Sequence, residues 1–153
     1  MKRLDNDRDR AEILRRLGTI TPDSVRLWGK MSANGMICHL SDGFRMASGE
    51  RRAVAADSSF FMRTIIKRIA FDLPVRIPKN VPTLPEADQE RGGTQPIEFE
   101  RDKAELRSFI QSFSGEDPLA KRVKHSIFGT MTRRQWARWG YAHVDHHLRQ
   151  FGA

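Results

Sequence analysis

The chain has 153 residues and a net charge of +8, with 27 lysines and arginines against 19 acidic residues. A chain of this length is expected to form one domain, here spanning residues 1–153, with a core of its own. Its single cysteine, Cys38, excludes an internal disulfide framework. No apolar run approaches the ~20 residues of a membrane helix, and the mixed charges of MKRLDNDRDR are not those of a secretory signal. The sequence therefore predicts a soluble cytoplasmic protein without a membrane partner.

Apolar residues recur at helical spacing in five segments, and polar caps or glycines bound several of them. Ser32 is expected to cap the second helix, Gly49 to end it, and Thr132 to cap the last helix. The predicted helices cover residues 7–17, 33–48, 58–72, 99–113 and 133–151. Residues 73–97 contain five prolines and two glycines, which predicts a long connection along the surface. The sequence therefore predicts an all-α four-helix bundle, with a long crossover between the second and third bundle helices and an extra helix in that connection.

Three histidines are predicted to point toward the interior of this bundle. A helix turns by about 100° per residue, so His143 and His147 lie about 40° apart on one face of the last helix. His39 lies on the apolar stripe of the second helix. Imidazoles from two helices that meet around one divalent ion would supply three nitrogen ligands and leave one position open, as in catalytic zinc sites. Nickel and iron accept imidazole ligands as well.

Each of these histidines also has a simpler explanation. An inward-facing histidine is often only a hydrogen-bonded core residue, and a cation near the end of a helix interacts favourably with the helix dipole. His146 offers a second pairing, because it lies three residues after His143 on the neighbouring flank. From spacing alone, a metal site and an ordinary polar core therefore both stay open.

Several other side chains are expected near these histidines. Asp42, three residues after His39, either holds the second nitrogen of that ring or is an exposed carboxylate near the helix end. The candidates for partner and wall residues on the last helix are Trp136, Trp139, His146 and Gln150. His125 precedes that helix and is expected to be a loop residue. Cys38 is expected to be a small buried apolar residue and not a nucleophile.

Two segments carry a family resemblance. MSANGMICHLSDGF, followed near the end of the chain by HSIFGTMTRRQWARWGYAHVDHHLRQFG, resembles the DinB/YfiT-like superfamily, and within it a branch labelled a domain of unknown function. The resemblance covers nearly the whole chain and implies a four-helix bundle. It also implies a metal site with one ligand on the second helix and two on the last, which correspond to His39, His143 and His147. Related proteins include transferases and isomerases that use bacillithiol, mycothiol or similar small thiols, with a bound metal that brings the thiol to its thiolate form.

These observations favour a divalent-metal-binding, DinB-like protein that acts as a metal-dependent transferase with a low-molecular-weight thiol and a small-molecule substrate. Zinc is the expected metal. The alternatives are a non-catalytic metal-binding or stress-response bundle and a basic nucleic-acid-binding module. The basic residues are scattered among acidic ones, so a nucleic-acid partner is not expected. Small bundles often form symmetric pairs, which leaves a monomer and a homodimer both open.

Overall fold

The computed structural model describes residues 1–52, 62–113 and 124–153. In chain order its helices are α1 (Asp7–Gly18), α2 (Ala33–Ser48), α3 (Lys67–Asp72), α4 (Phe99–Ser112) and α5 (Arg133–Gln150). A π-helical turn (Met62–Ile66) leads into α3, and a 3₁₀ turn (Pro85–Ala87) precedes α4. No β-strand occurs in the three described ranges, where His125 and Gly129 form an isolated bridge. The predicted all-α class is confirmed.

The long helices begin and end at caps that the sequence predicts. Ser32 Oγ accepts a hydrogen bond from Gly35 N at 3.0 Å and so caps α2. Gly49 follows α2 with a φ of 84°, a left-handed conformation that glycine adopts without strain. Thr132 and Gln135 form a reciprocal capping box at the start of α5. These local hydrogen bonds explain why the predicted bounds of α2 and α5 agree closely with the structure.

The helix predicted over residues 58–72 is only partly observed. Residues 58–61 lie outside the described residues, and the π-helical turn precedes the short α3. That turn contains three consecutive β-branched residues, whose side chains crowd the preceding turn of a regular α-helix: Thr64, Ile65 and Ile66. Phe71, the buried residue of α3, packs against Phe128 with ring centroids 5.1 Å apart. This contact attaches α3 to the loop before α5.

The four long helices surround one apolar core. Both α1 and α2 pack against α4 and α5, so the helices follow one another around the bundle in the order α1, α4, α2, α5. Each contributes fully buried side chains, among them Leu17, Ile37, Leu106 and Leu148, and burial of one such side chain contributes about 1.5–3 kcal/mol. None of the helices in the described parts of the chain is long and apolar enough to cross a membrane. The packing places α2 directly beside α5, the two helices that carry the candidate ligands.

Asp42 attaches the long connection to α2. Its side chain is fully buried, and its Oδ1 accepts hydrogen bonds from Thr94 Oγ1 at 2.6 Å, Arg51 Nη1 at 2.7 Å and Arg45 Nη1 at 3.1 Å. Its Oδ2 accepts a further one from Thr94 N at 2.8 Å. Both sequence-based interpretations of Asp42 are therefore wrong, because it is neither exposed nor hydrogen-bonded to the ring of His39. Three residues of helix turn it about 60° away from that ring, toward the connection.

Candidate metal centre

The rings of His39, His143 and His147 meet between α2 and α5. Their centroids are 5.1 Å apart for His39 and His143, 4.7 Å for His39 and His147, and 5.1 Å for His143 and His147. One nitrogen from each ring lies within 4.8 Å of the other two, and the Nε2 atoms of His39 and His143 are 3.1 Å apart. Because zinc binds imidazole nitrogens at about 2.0–2.1 Å, small movements of these rings would bring all three nitrogens to one ion.

A glycine on α2 makes room for the close approach of the two helices. A Cβ atom at Gly43 would lie 3.1 Å from Cε1 and 3.3 Å from Nδ1 of His143, and 3.5 Å from Cη2 of Trp139. The two distances to His143 are shorter than most real Cβ contacts, so a side chain at this position would require the ring of His143 to move by a few tenths of an ångström. The missing side chain at Gly43 therefore lets the ring of His143 lie close to α2, which the helical periodicity of α2 could not indicate.

His39 is oriented by the long connection. Its Nδ1 lies 2.9 Å from the carbonyl oxygen of Ala87, in the 3₁₀ turn. Because a carbonyl oxygen only accepts hydrogen bonds, Nδ1 carries the proton, and Nε2 presents its lone pair toward His143. Such a partner on the second nitrogen is typical of histidines that bind metals. No residue type marks Ala87 in the sequence, since every residue has a carbonyl group.

His147 is oriented in the same way by a side chain of its own helix. Its Nδ1 lies 2.8 Å from Oε1 of Gln150, and Nε2 of Gln150 donates to the carbonyl oxygen of Trp28 at 2.8 Å. Nδ1 of His147 is thus the protonated nitrogen, and its Nε2 is free to bind a metal. The sequence predicted Gln150 near this site, and in the structure its side chain is hydrogen-bonded to His147.

The surroundings favour neutral imidazoles. Burial lowers the pKa of His39, and burial together with the neighbouring histidines holds the pKa values of His143 and His147 well below their usual range. Metal ligation requires the neutral ring, so these shifts favour ligation at pH 7. His39 and His147 are buried, whereas His143 keeps some exposure to solvent. Of the three rings, His143 is therefore the one in contact with solvent to the greatest extent.

The two predicted tryptophans differ in their relation to the site. Trp139 packs against His143 with ring centroids 5.1 Å apart and is only partly buried. Trp136 is buried and contacts Trp139 at 5.5 Å and His125 at 5.6 Å. Trp139 is thus a wall of the site, and Trp136 supports that wall.

His146 does not belong to the group of three. It is buried, and its ring lies edge-on to His147 at 5.0 Å and to Trp28 at 5.9 Å. Its Nδ1 has no hydrogen-bond partner among the described residues. The alternative pairing of His143 with His146 is therefore not the one that meets His39.

His125 is a loop residue, as predicted, and its ring is held firmly. Its Nδ1 accepts hydrogen bonds from Ile127 N at 3.1 Å and Phe128 N at 3.3 Å. Burial, together with the charge of Lys67, lowers the pKa of His125 to about 4. The neutral ring packs against Trp139, with ring centroids 5.6 Å apart.

We predict that acidification lowers the free energy of unfolding less in His125→Asn than in the wild type. Between the usual histidine pKa of about 6.5 and the folded value of about 4, the unfolded chain binds a proton that the folded chain does not, so this contribution to stability is lost as the pH falls. One such histidine makes the free energy of unfolding about 1.4 kcal/mol lower at about pH 5.5 than at about pH 7.5. Asparagine keeps an acceptor for the two backbone donors and does not titrate. Urea unfolding at both pH values measures the difference, and an equal loss in the variant and the wild type would contradict the prediction.

Cys38 is unsuited to nucleophilic chemistry. It is buried, and burial together with Asp102 raises its pKa to about 12. Its Sγ donates to Oδ2 of Asp102 at 3.7 Å. The prediction of a small buried side chain is confirmed. The Sγ atom of Cys38 does not belong to the three-histidine group.

Comparison with known proteins places the chain in a family. No curated protein and no solved structure matches it. The family model described as the DinB superfamily matches residues 6–151, a span that includes the described helices α1 to α5 and the three converging histidines. The match thus extends from the residue that caps α1 to the residue that follows α5. The chain belongs to the DinB superfamily.

Proposed function

We propose that the protein is a divalent-metal-dependent transferase that joins a low-molecular-weight thiol to a small electrophile. The observation that carries this proposal is the meeting of His39, His143 and His147, with one nitrogen of each within 4.8 Å of the others. Three imidazoles and an open fourth position are the ligand set of catalytic zinc, so zinc is the expected ion. Nickel and ferrous iron accept the same ligands.

The chain's own residues supply the ligand nitrogens and control access to them. His39 and His147 present Nε2 lone pairs, because their Nδ1 atoms donate to other groups. A divalent ion held by these three neutral imidazoles would keep its full charge and would lower the pKa of a thiol bound to it. That thiol would give up its proton to solvent, and the thiolate formed there would form a bond to the electrophile, whose leaving group would depart with its bonding electrons. The partial exposure of His143 supports entry of both reactants from its side.

The thiol must come from a separate molecule. Cys38 is the single cysteine of the chain, and it is buried with a pKa raised to about 12. A thiol in that state supplies almost no thiolate near pH 7. A transferase built on this site therefore requires a small thiol as a second substrate.

An aromatic wall supports binding of a small, partly apolar electrophile. Trp139 lies beside His143 and contacts Phe44 at 6.2 Å and His125 at 5.6 Å. Its indole ring offers an extended apolar surface next to the ligand nitrogens, as is common in pockets for small molecules. This feature favours a compact organic electrophile over a highly charged one.

The charge of the described surface does not favour nucleic acid as the partner. Many basic side chains form ion pairs with acidic ones and are not gathered in one stripe. Such pairs join Lys2 to Glu12, Arg10 to Asp7, Arg16 to Asp145, Arg45 to Glu105, and Arg149 to Asp145. Paired charges contribute less to a field that attracts phosphates than unpaired ones do.

The proposal is tested by thiol conjugation with and without metal. The purified protein is loaded with zinc or nickel and mixed with 1-chloro-2,4-dinitrobenzene and, in turn, glutathione, cysteine, bacillithiol and mycothiol. We expect a metal-dependent rate above background with at least one of these thiols, and loss of that rate in the His143→Ala/His147→Ala variant. A metal-loaded protein that gives no rate above background with any of these thiols would contradict the proposal.

A further inference from the structure

Gln150 lies at the end of α5, where the oxygen and the nitrogen of its side-chain amide face different residues. It is buried, with Oε1 2.8 Å from Nδ1 of His147 and Nε2 2.8 Å from the carbonyl oxygen of Trp28. Trp28 belongs to the loop between α1 and α2, more than a hundred positions away in the sequence. Gln150 therefore joins a candidate metal ligand to a distant loop.

The carbonyl group of Trp28 decides the orientation of the amide, and the amide decides the tautomer of His147. A carbonyl oxygen cannot donate, so the NH₂ group of Gln150 must face Trp28 and its oxygen must face His147. Nδ1 of His147 must then carry a proton, since otherwise two buried lone pairs would face each other. The lone pair of His147 is consequently on Nε2, the nitrogen that is left for a metal.

The loop is shaped to fit around Gln150. Leu27 N donates to the backbone oxygen of Gln150 at 2.7 Å. At Gly29, with a φ of 74°, an added Cβ would lie 2.6 Å from Nε2 of Gln150. A side chain at Gly29 would thus collide with the amide, and the left-handed backbone there disfavours one in any case. The backbone at Leu27 and Trp28 therefore holds Gln150 by two hydrogen bonds, and Gly29 leaves room for its amide.

We infer that Gln150 is a positioning residue for the metal centre: the loop at Trp28 orients its amide, and its amide holds His147 in the tautomer that ligates through Nε2. This inference deepens the proposed function and rests on metal binding at the three histidines. Gln150 differs from the partner of His39, which is a backbone carbonyl and survives any substitution of Ala87. It is therefore the orienting group that a side-chain substitution can remove.

The first test needs no metal and no variant of Gln150. Nitrogen-15 NMR of the metal-free protein reports which nitrogen of each histidine carries the proton, with His147→Gln used to assign the signals of His147. We expect His147 to be protonated on Nδ1 and bare on Nε2. Protonation on Nε2 would overturn the inference, because Gln150 would then not set the tautomer.

The second test compares zinc affinities by competition with a chromophoric chelator. Gln150→Leu keeps much of the buried volume but removes the acceptor, and we expect zinc to bind about 10–100-fold more weakly. Gln150→Glu keeps an acceptor for Nδ1 and should bind zinc more tightly than the leucine variant does. Equal zinc affinity in the wild type and the leucine variant would overturn the inference.

The two tests separate the inference from the proposed function. If the wild type binds no zinc, the proposed function fails, and the NMR result alone decides whether Gln150 sets the tautomer of His147. If the wild type binds zinc but catalyses no conjugation, the affinities of the Gln150 variants still decide the inference. If Gln150 contributed only to folding, Gln150→Leu would lower the melting temperature of the metal-free protein. The zinc affinity and the tautomer of His147 would then be the same in the variant as in the wild type, which would contradict the inference.

Discussion

Replacement of both His143 and His147 by alanine is expected to reduce bound metal from about one ion per chain to background. A single imidazole on His39 is a weak ligand, because the affinity of such a site depends on several nitrogens held together before the ion arrives. The three rings meet that condition, with centroids between 4.7 and 5.1 Å apart. Elemental analysis of protein purified without chelators, and again after zinc loading and desalting, measures the effect.

The chain provides a matched control for this loss. His146 lies in the same turn of α5 and is buried as well, but it is not part of the converging group. His146→Ala should therefore retain about one ion per chain. Metal content that falls equally in His146→Ala, or that persists in the double variant, would be incompatible with the assigned ligands.

The same pair of variants connects metal binding with stability. A ligand that binds only the folded state stabilises it by about 2.7 kcal/mol at a free concentration of 100 times the dissociation constant. Zinc should thus raise the melting temperature of the wild type and of His146→Ala but not that of the double variant. The site joins α2 to α5, so this stabilisation acts on the contact between two helices of the bundle.

The substitution Asp42→Asn is expected to destabilise the folded protein by about 3 kcal/mol. The carboxylate is fully buried and accepts hydrogen bonds from two arginines and from both the hydroxyl and the amide of Thr94. An amide in its place keeps the shape, removes the charge and turns an NH₂ group toward donors. The two arginines are partly exposed, which keeps the expected cost at the lower end of the range for broken buried pairs. Urea unfolding at neutral pH measures the change.

Glu90→Gln provides the control for this substitution. It makes the same chemical change in the same connection, at an ion pair with Lys30 whose two side chains are 70% and 75% exposed. Water already solvates both groups of that pair, so the unfolding midpoint should stay unchanged. A similar loss of stability in both variants, or none in Asp42→Asn, would mean that the buried carboxylate does not hold the connection.

The sequence alone predicted those features that neighbouring residues decide. The bounds of α2 and α5 follow from Ser32, Gly49 and Thr132, whose caps form within one turn of the residues they bond. The direction of His143 and His147 follows from their spacing of four on a single helix. The prediction was weakest at residues 58–72, where apolar spacing favoured a regular helix but β-branched residues precede α3 in a π-helical turn.

Tertiary structure alone decided which groups complete the site. The carbonyl of Ala87, the absent side chain of Gly43 and the bond between Gln150 and Trp28 all join segments that are distant along the chain. Helical periodicity gives the direction in which a side chain points from the axis of its helix, but it does not give the residue that the side chain contacts. That neighbour depends on how the helices pack and on where the connections return. For the same reason Asp42, which in sequence resembles any acidic residue near a helix end, became a fully buried anchor of the connection only in the folded chain.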